Sequence, residues 1–496
     1  MELQWWEELI PDRELKTLHF LTQVPPLTFN PAESFDLVTR NVVSNLFEGL
    51  VTQDPQTLQP QPGIADEWQE LVPGQVYLFH LRINTRFSNG DPVMTDDVIY
   101  SIGRLGEFQG SELQVTEGPE PRTVRIELSQ PLHGFLDHLA TPPFAIVSQK
   151  AAERHGYAPE HLVSSGPFRM KEVSKKGIKH PSIVVLERNP YYWDCSSVGI
   201  DQAVYIPIMD ADERLRVFKT RYSPEGRRFH YFLNHGPVMR YQELKEDPEL
   251  QPAPVYGTIV MTPNFSVKPL DDVRVRKAIS LAITRRNIID YVVPHIHVAD
   301  ALVPHHMRGY PECRGLVRED EAEARRLLAE AGYPDGRGFP ELTLTIFDHD
   351  YQEVMVNFLI RDLKRVLGIT VACKRLKWGD YVRHLEWRNY ELLYETWHAD
   401  VPDPGAFLIP LATDHPFNTP GYSNAEFDEL MLRTLEERDP ETRTQHYLRA
   451  EQILIEEMAT IPLCYDSHFV MIDEGVKGAR LNKAAVLPLK HIELQS

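Results

Sequence analysis

No run of apolar residues in this chain is long enough to cross a bilayer. The longest, such as Phe144-Ala145-Ile146-Val147, fall far short of the roughly 20 residues a span needs. Cysteine is scarce: Cys195, Cys313, Cys373 and Cys464 are the only four in 496 residues. They form no CxxC and no Cys/His ligand spacing, which argues against a zinc site. One or two disulfides stay open in an oxidising compartment, without a pairing that spacing can assign. There is no GxSxG elbow, no HExxH, no Walker A loop and no GxGxxG after a strand, and no carboxylate pair is marked for acid–base work. No motif therefore marks catalytic residues, a metal or a cofactor, and none is expected. Basic residues are outnumbered, 52 against 72 acidic, giving a formal charge of −20. A nucleic-acid footprint needs a basic face, so that class is set aside. The acidity suits a soluble carrier and modestly favours cationic ligands through the summed field. Met1 to Ile10 lacks a basic n-region, an adequate apolar core and a lipobox cysteine, so this sequence shows no export signal.

What is present is an ordinary globular composition over a length that predicts two or three domains. Tyr77 to Arg82 alternates large apolar and polar residues, and Asn89-Gly90 between Phe87 and Val93 signals a type I′ hairpin. Val273, Val275, Ile279, Ala282 and Ile283 fall at helical spacing. Arg318 to Gly332 reads as a second helix ending on a C′ glycine. Gln352 to Leu367 reads as a third, with Val354, Phe358, Leu359 and Leu363 on one face and Gly368 as its stop. Strand Ile369 to Cys373 follows at once. Helices alternating with strands give an α/β sheet in the second half.

One segment carries chemistry. In Thr396-Trp397-His398-Ala399-Asp400-Val401-Pro402-Asp403-Pro404, a strand-like run ends in a loop stiffened by two prolines. A carboxylate fixed there beside an indole is a receptor for an amine; the bland alternative is that Asp400 only caps a turn. His295-Ile296-His297 and His305-His306 could take a transition metal, although polar loop residues read the same way. Trp378, just after a strand, either lines a pocket or belongs to the core.

A series of short motifs then fixes a resemblance. It runs through Asn41 to Val51, Pro62 to Trp68, Phe87 to Val93, Thr95 to Ser101, Ser165-Gly166-Pro167-Phe168 and Leu186 to Trp193. It continues through Asp272 to Ile279, Leu327 to Tyr333, Tyr422 to Leu430 and Ile461-Pro462-Leu463. In this order and spacing, the chain resembles the periplasmic oligopeptide-, dipeptide- and nickel-binding proteins that serve ABC importers.

That resemblance implies a two-lobed α/β periplasmic-binding-protein-like fold with an inserted subdomain, two hinge crossings and a ligand cleft between the lobes. Residues 1–50, 165–256 and 466–496 would form lobe I, 51–164 the inserted subdomain and 257–465 lobe II. It implies a monomer that captures a small molecule or short peptide by hinge closure and hands it to permease subunits, in a periplasmic or other extracytoplasmic location. The alternatives are a cytoplasmic ligand-sensing module of a regulator, or a nickel or metallophore binder. By the same resemblance Asp400 pairs with the ligand's α-ammonium group, with Trp397, His398, Trp378, Tyr465, Asn264, Phe35 and Leu37 around the ligand. His398 stands where some relatives carry a disulfide cysteine. Where relatives carry arginines on a hairpin between Trp378 and Trp397, this chain has Leu385 and Tyr394. Pro263 also removes a backbone donor from a strand that could pair with a peptide. A ligand C-terminus is therefore expected to meet no fixed cation on this wall, so that its amidation changes affinity less than about threefold. Arg169, Arg383 or Arg388 would supply a cation only from another direction.

Overall fold

The computed structural model describes residues 15–174, 182–220, 229–234, 240–291, 296–311, 315–348 and 350–495; Cys313 and His295 lie outside them. The chain divides into two compact units, one within 1–237, 243–253 and 468–496, the other within 238–242 and 254–467.

In the first unit, strand β1 (Thr17–Thr22) is buried at every position, as a strand covered on both faces must be. It lies near the start of the chain and is followed by helix α1 (Leu37–Leu46), capped by Asp36, whose side chain accepts from the Val38 and Thr39 amides. Strands β2 (Ala65–Val72), β3 (Val76–Leu81), β4 (Glu107–Phe108), β5 (Ser111–Glu117) and β6 (Thr123–Leu128) make an antiparallel sheet in the order β2-β3-β6-β5-β4. The Asn89-Gly90 turn differs from the type I′ expectation. Phe87 N–H donates to Asp91 C=O across three residues, and Gly90 is left-handed at φ 89° while Asn89 is not. A three-residue loop needs only its last position left-handed, so glycine suffices there. A second sheet continues through β7 (Phe168–Ser174), β8 (Ile183–Arg188), β9 (Gln202–Pro207), helix α2 (Ala211–Lys219) and β10 (His230–Leu233), with β1 parallel to both β9 and β10. Val204 and Ile206 of β9, Leu215 and Phe218 of α2 and Tyr231 and Leu233 of β10 close its core.

The long continuous stretch of the second unit begins within strand β11 (Leu250–Pro263). Helix α3 (Val273–Ala282) matches its periodicity, with Asp272 as cap. Helix α4 (Arg285–Tyr291) and the short strand β12 (His297–Val298) follow. Helix α5 spans Glu321–Glu330, shorter than the pattern suggested because Asp320 caps it. Strand β13 (Leu342–Phe347), helix α6 (Asp350–Leu367) and strand β14 (Val371–Leu376) form a parallel β-α-β crossover. On α6 the buried stripe is Met355, Leu359, Leu363 and Val366. Val354 and Phe358 are only half-buried, and Arg361 lies 4.6 Å over the Phe358 ring. Gly368 stops the helix at φ 73°. Helix α7 (Trp378–Glu386), strand β15 (Leu392–His398), the short helix α8 (Gly405–Leu408), helix α9 (Pro440–Glu456) and strand β16 (Ile461–Ile472) complete it. Here the strand order is β14-β13-β15-β11-β16, with β12 paired to β16.

Two expectations are corrected. The stretch between Trp378 and Trp397 is a helix followed by a strand, not a hairpin. Tyr394 is fully buried on β15, its hydroxyl 3.0 Å from Met355 Sδ, so it packs the core and forms no ligand wall. Pro263 ends β11, which is flanked by β15 and β16, so its missing donor leaves no open edge affected.

The C-terminal segment is fastened by two asparagines one helical turn apart on α1. Asn41 donates to Ala485 C=O (2.8 Å) and accepts from Leu487 N–H (2.8 Å). Asn45 donates to Leu487 C=O (3.1 Å) and accepts from Leu489 N–H (2.9 Å). Each side-chain amide thus stands in for a neighbouring strand, at a place where Leu487 and Leu489 are fully buried. Asn45→Ala leaves two buried backbone groups unpaired and is expected to cost about 2–4 kcal/mol, read as a lower urea midpoint at unchanged slope.

Candidate functional site

The pairing of β15 with β11 decides which side chains of the Trp397–Pro404 segment are available. Gly257 lies opposite His398, Thr258 opposite Trp397 and Thr262 opposite Leu393. Period two then puts Leu393, Glu395 and Trp397 on one face and Tyr394, Thr396 and His398 on the other. His398 Nε2 lies 2.8 Å from Asp466 Oδ2 of β16. A Cβ at Gly257 would sit 2.8 Å from the imidazole Cδ2 and 3.0 Å from Asp466 Cβ. Only a glycine admits this pair, a close approach of the kind an isolated strand glycine signals.

Beyond β15 the chain is held on both sides of Asp400. Ala399 N–H donates to Tyr256 C=O (2.8 Å), and Ala399 and Val401 are each 1% exposed. Three residues on, Asp403 accepts from Arg443 (2.8 Å), Tyr447 (2.9 Å) and the Gly405 amide (2.7 Å). Burial raises the Asp403 carboxyl, but Arg443 and these donors outweigh it and hold the group below the usual carboxylate range. Asp403 is thus a structural anchor joining the loop to α9, and Asp400 is the half-buried carboxylate that the anchored loop presents.

Glu395 is a third kind of carboxylate. It is buried on β15, accepting from the Thr262 hydroxyl of β11, and burial pushes its carboxyl up to about 6 against the opposing bonds of Thr262 and Trp397. Sequence reading missed it, as it missed Asp466, because neither lies in a recognisable motif.

The other expected residues have these places. Trp378 opens α7, half-buried, stacked on Tyr381 (5.8 Å, 16°) and edge-on to Phe347 (5.1 Å). The ring thus packs against aromatic neighbours, and its Nε1 is buried with no hydrogen-bond partner among the described residues. Asn264 donates to the Arg388 and Tyr390 carbonyls (3.0 and 2.8 Å) and accepts from Ser266. Its amide is committed to bracing that turn. Tyr465 is 3% exposed and donates to Asp300 (2.9 Å). Phe35 and Leu37 belong to the first unit, Phe35 strongly exposed and Leu37 opening α1. His297, His305 and Asp300 do not bring three ligand atoms within 4.8 Å of one another. Cys195, Cys373 and Cys464 are free thiols.

The raised Glu395 carboxyl gives a pH signature. Its folded value lies above the ordinary 4.5, so the folded state holds the proton more tightly. That contribution is fully present below about pH 4.5 and is lost as pH rises through about 6. The difference amounts to about 2 kcal/mol. Urea unfolding of Glu395→Gln between pH 4.5 and 7.5 is expected to lack this part of the wild-type decline. Parallel pH profiles for the two proteins would disprove the assignment.

The chain is similar over nearly its whole length to proteins that carry solutes. The family model of bacterial extracellular solute-binding proteins, family 5, matches residues 59–419. The periplasmic oligopeptide-binding protein OppA of Salmonella typhimurium is 28% identical over 482 residues, covering 88% of this chain and 85% of OppA. The dipeptide-binding protein DppE of Bacillus subtilis is 22% identical over 510 residues, covering 96% and 91%. Among solved structures, a periplasmic oligopeptide-binding protein of Borrelia burgdorferi (OppAIV) superposes with a TM-score of 0.88 at 26% identity, over 97% of this chain and all of that one. The mixed α/β architecture expected from the motifs is the fold the chain has. No helix among the described residues is long and apolar enough to cross a membrane. By its match over residues 59–419, this chain belongs to the bacterial extracellular solute-binding proteins of family 5, a family of binding proteins and not of enzymes.

Proposed function

We propose that this chain is the substrate-binding component of an ABC importer, capturing peptides or peptide-like solutes outside the cytoplasmic membrane and delivering them to permease subunits. The observation that carries the reading is the presentation of Asp400. A carboxylate is held just beyond the end of β15 between two buried residues, on a loop that a separate, partly buried ion pair fastens down. Such a carboxylate fits the α-ammonium group of a peptide, and the relatives named above are oligopeptide and dipeptide binders by name. Trp397 and His398 precede it on the strand, and Trp378 offers an unused N–H. Phe35 and Leu37 are proposed to contact ligand from the first unit. Asn264 supports the site through the turn it braces.

The two aspartates of this loop are expected to respond oppositely to substitution. A desolvated, charge-assisted bond is worth about 1.5–3 kcal/mol, so Asp400→Asn is expected to weaken an amine-bearing peptide at least tenfold. Fold stability should barely change. N-acetylation of the peptide should cost about as much, and the two losses should not add. Asp403→Asn strands the buried Arg443 guanidinium and is expected to destabilise the protein by about 3–5 kcal/mol. Calorimetric titration and urea unfolding of both variants check this; full binding by Asp400→Asn would remove the anchor role.

Ligand binding to the native state stabilises by about 2.7 kcal/mol at 100 times the dissociation constant. A library of short peptides is therefore expected to contain members that raise the melting temperature. If neither peptides nor peptide-like solutes shift it, the proposed function fails.

A further inference from the structure

Glu395 is a buried carboxylate two residues before Trp397 and five before Asp400. Side chains two apart on a strand share a face. In the register of β15 against β11, Glu395 lies opposite Val260 and Trp397 opposite Thr258, so carboxylate and indole are neighbours on one wall. Thr262, diagonal to Glu395 and fully buried, donates its hydroxyl to one carboxylate oxygen. The Thr262 oxygen lies 3.5 Å from that of Thr460, just before β16, so a second hydroxyl backs the first. The carboxylate also takes a hydrogen bond from the Trp397 side chain, whose only donor is the indole N–H. Trp397 is half-buried: its N–H is turned to a buried acceptor while part of the ring stays open to solvent. The ionisable groups that face Glu395 from other elements are the hydroxyls of Tyr381 on α7 and Tyr390 before β15, both kept neutral by burial. Each donates elsewhere, Tyr381 to Tyr394 C=O (2.9 Å) and Tyr390 to Thr419 C=O (2.8 Å). Among the described residues no cation acts on the carboxylate.

We propose that Glu395 is a positioning residue of the ligand site: it acts through Trp397, fixing the plane of the indole ahead of Asp400, and its proton thereby modulates binding. The inference rests on the proposed peptide-binding function and adds a pH dependence to it. An ionised carboxylate accepts from an N–H about twice as strongly as a neutral acid does. Burial pushes the Glu395 carboxyl up to about 6, so it passes between these two states in the middle of the pH range. Above that value the indole is held by the anion; below it the hydrogen bond weakens and the ring is freer to turn. A ligand packed on the ring and an ammonium group at Asp400 both favour the anion. Binding and ionisation therefore reinforce each other, and by reciprocity affinity rises as Glu395 loses its proton. The rise falls between pH 5 and 7, where a peptide's α-amino group stays largely protonated.

Two measurements test this. In ligand-free protein labelled with 15N-indole tryptophan, the Trp397 Nε1–H resonance is identified by its loss in Trp397→Phe and followed from pH 4.5 to 7.5. It is expected to move downfield as pH rises, the direction a stronger hydrogen bond gives, with a midpoint near 6, and to stay still in Glu395→Gln. Thr262→Val removes a donor to the charged form, so its midpoint should lie above that of wild type. In the second measurement, a synthetic library of tripeptides to pentapeptides without histidine or acidic side chains is offered at pH 5 and pH 7, and the affinity of each retained peptide is compared. Wild type is expected to bind about threefold more tightly at pH 7, and Glu395→Gln to lose that rise. A Trp397 resonance that does not titrate, or that titrates unchanged in Glu395→Gln, overturns the positioning role. So does an equal pH response of wild type and Glu395→Gln, a result that leaves peptide binding standing. Should Glu395→Gln fail to fold, the wild-type titration and the Thr262→Val midpoint decide. If no peptide is retained at either pH, the peptide reading fails and the ligand-site role of Glu395 with it, even where the indole titrates.

Discussion

The register of β15 against β11 is the constraint on which the candidate site depends. Seven consecutive pairs, from Gly257 with His398 to Pro263 with Leu392, fix which side chains turn inward. A slip of one residue would send Glu395 and Trp397 to the opposite face and Tyr394 out of the core. The register is held at both ends. Asn264 braces the turn after β11 through the carbonyls just before β15, and Gly257 leaves the space that His398 and Asp466 fill.

Within that frame, neighbouring carboxylates acquire different chemistry from their surroundings alone. Glu395 faces the interior with hydroxyl and indole donors and no cation, so burial favours its neutral form. Asp403 is half-buried, with Arg443 lying against it, and the charged form prevails. Asp400 sits between them in sequence, half-buried, on backbone that the other contacts hold in place. Rigidity at Asp400 is useful to a receptor because a pre-positioned anion spends less of the ligand's interaction energy on ordering itself.

The second unit also shows how far two positions read as neighbours in the sequence can part once the chain folds. Leu385 and Tyr394 suggest a site without cations, because a hairpin would place both on one wall. The segment is instead the end of a β-α-β arrangement, where α7 and β15 point the two positions into different environments. Arg286, distant in sequence, shares a pocket with His297, His305 and Tyr465 through the pairing of β12 with β16.

The sequence by itself determined the family, the α/β class and the local elements whose signals are short-range. Helix α3 with its Asp272 cap, the Gly368 stop of α6 and the stiff loop around Asp400 were all readable, because periodicity, capping and proline restriction act within a few residues. The role of Asp400 against a mere turn cap could be framed but not decided from residue types. Only the tertiary structure tied Asp403 to Arg443 and Tyr447 as an anchor, buried Glu395 and Tyr394, gave His398 its partner Asp466, and gathered the Arg286 pocket. Each of these depends on contacts between strands and helices tens or hundreds of residues apart. Burial and pairing set charge state and availability, and they exist only once those elements pack.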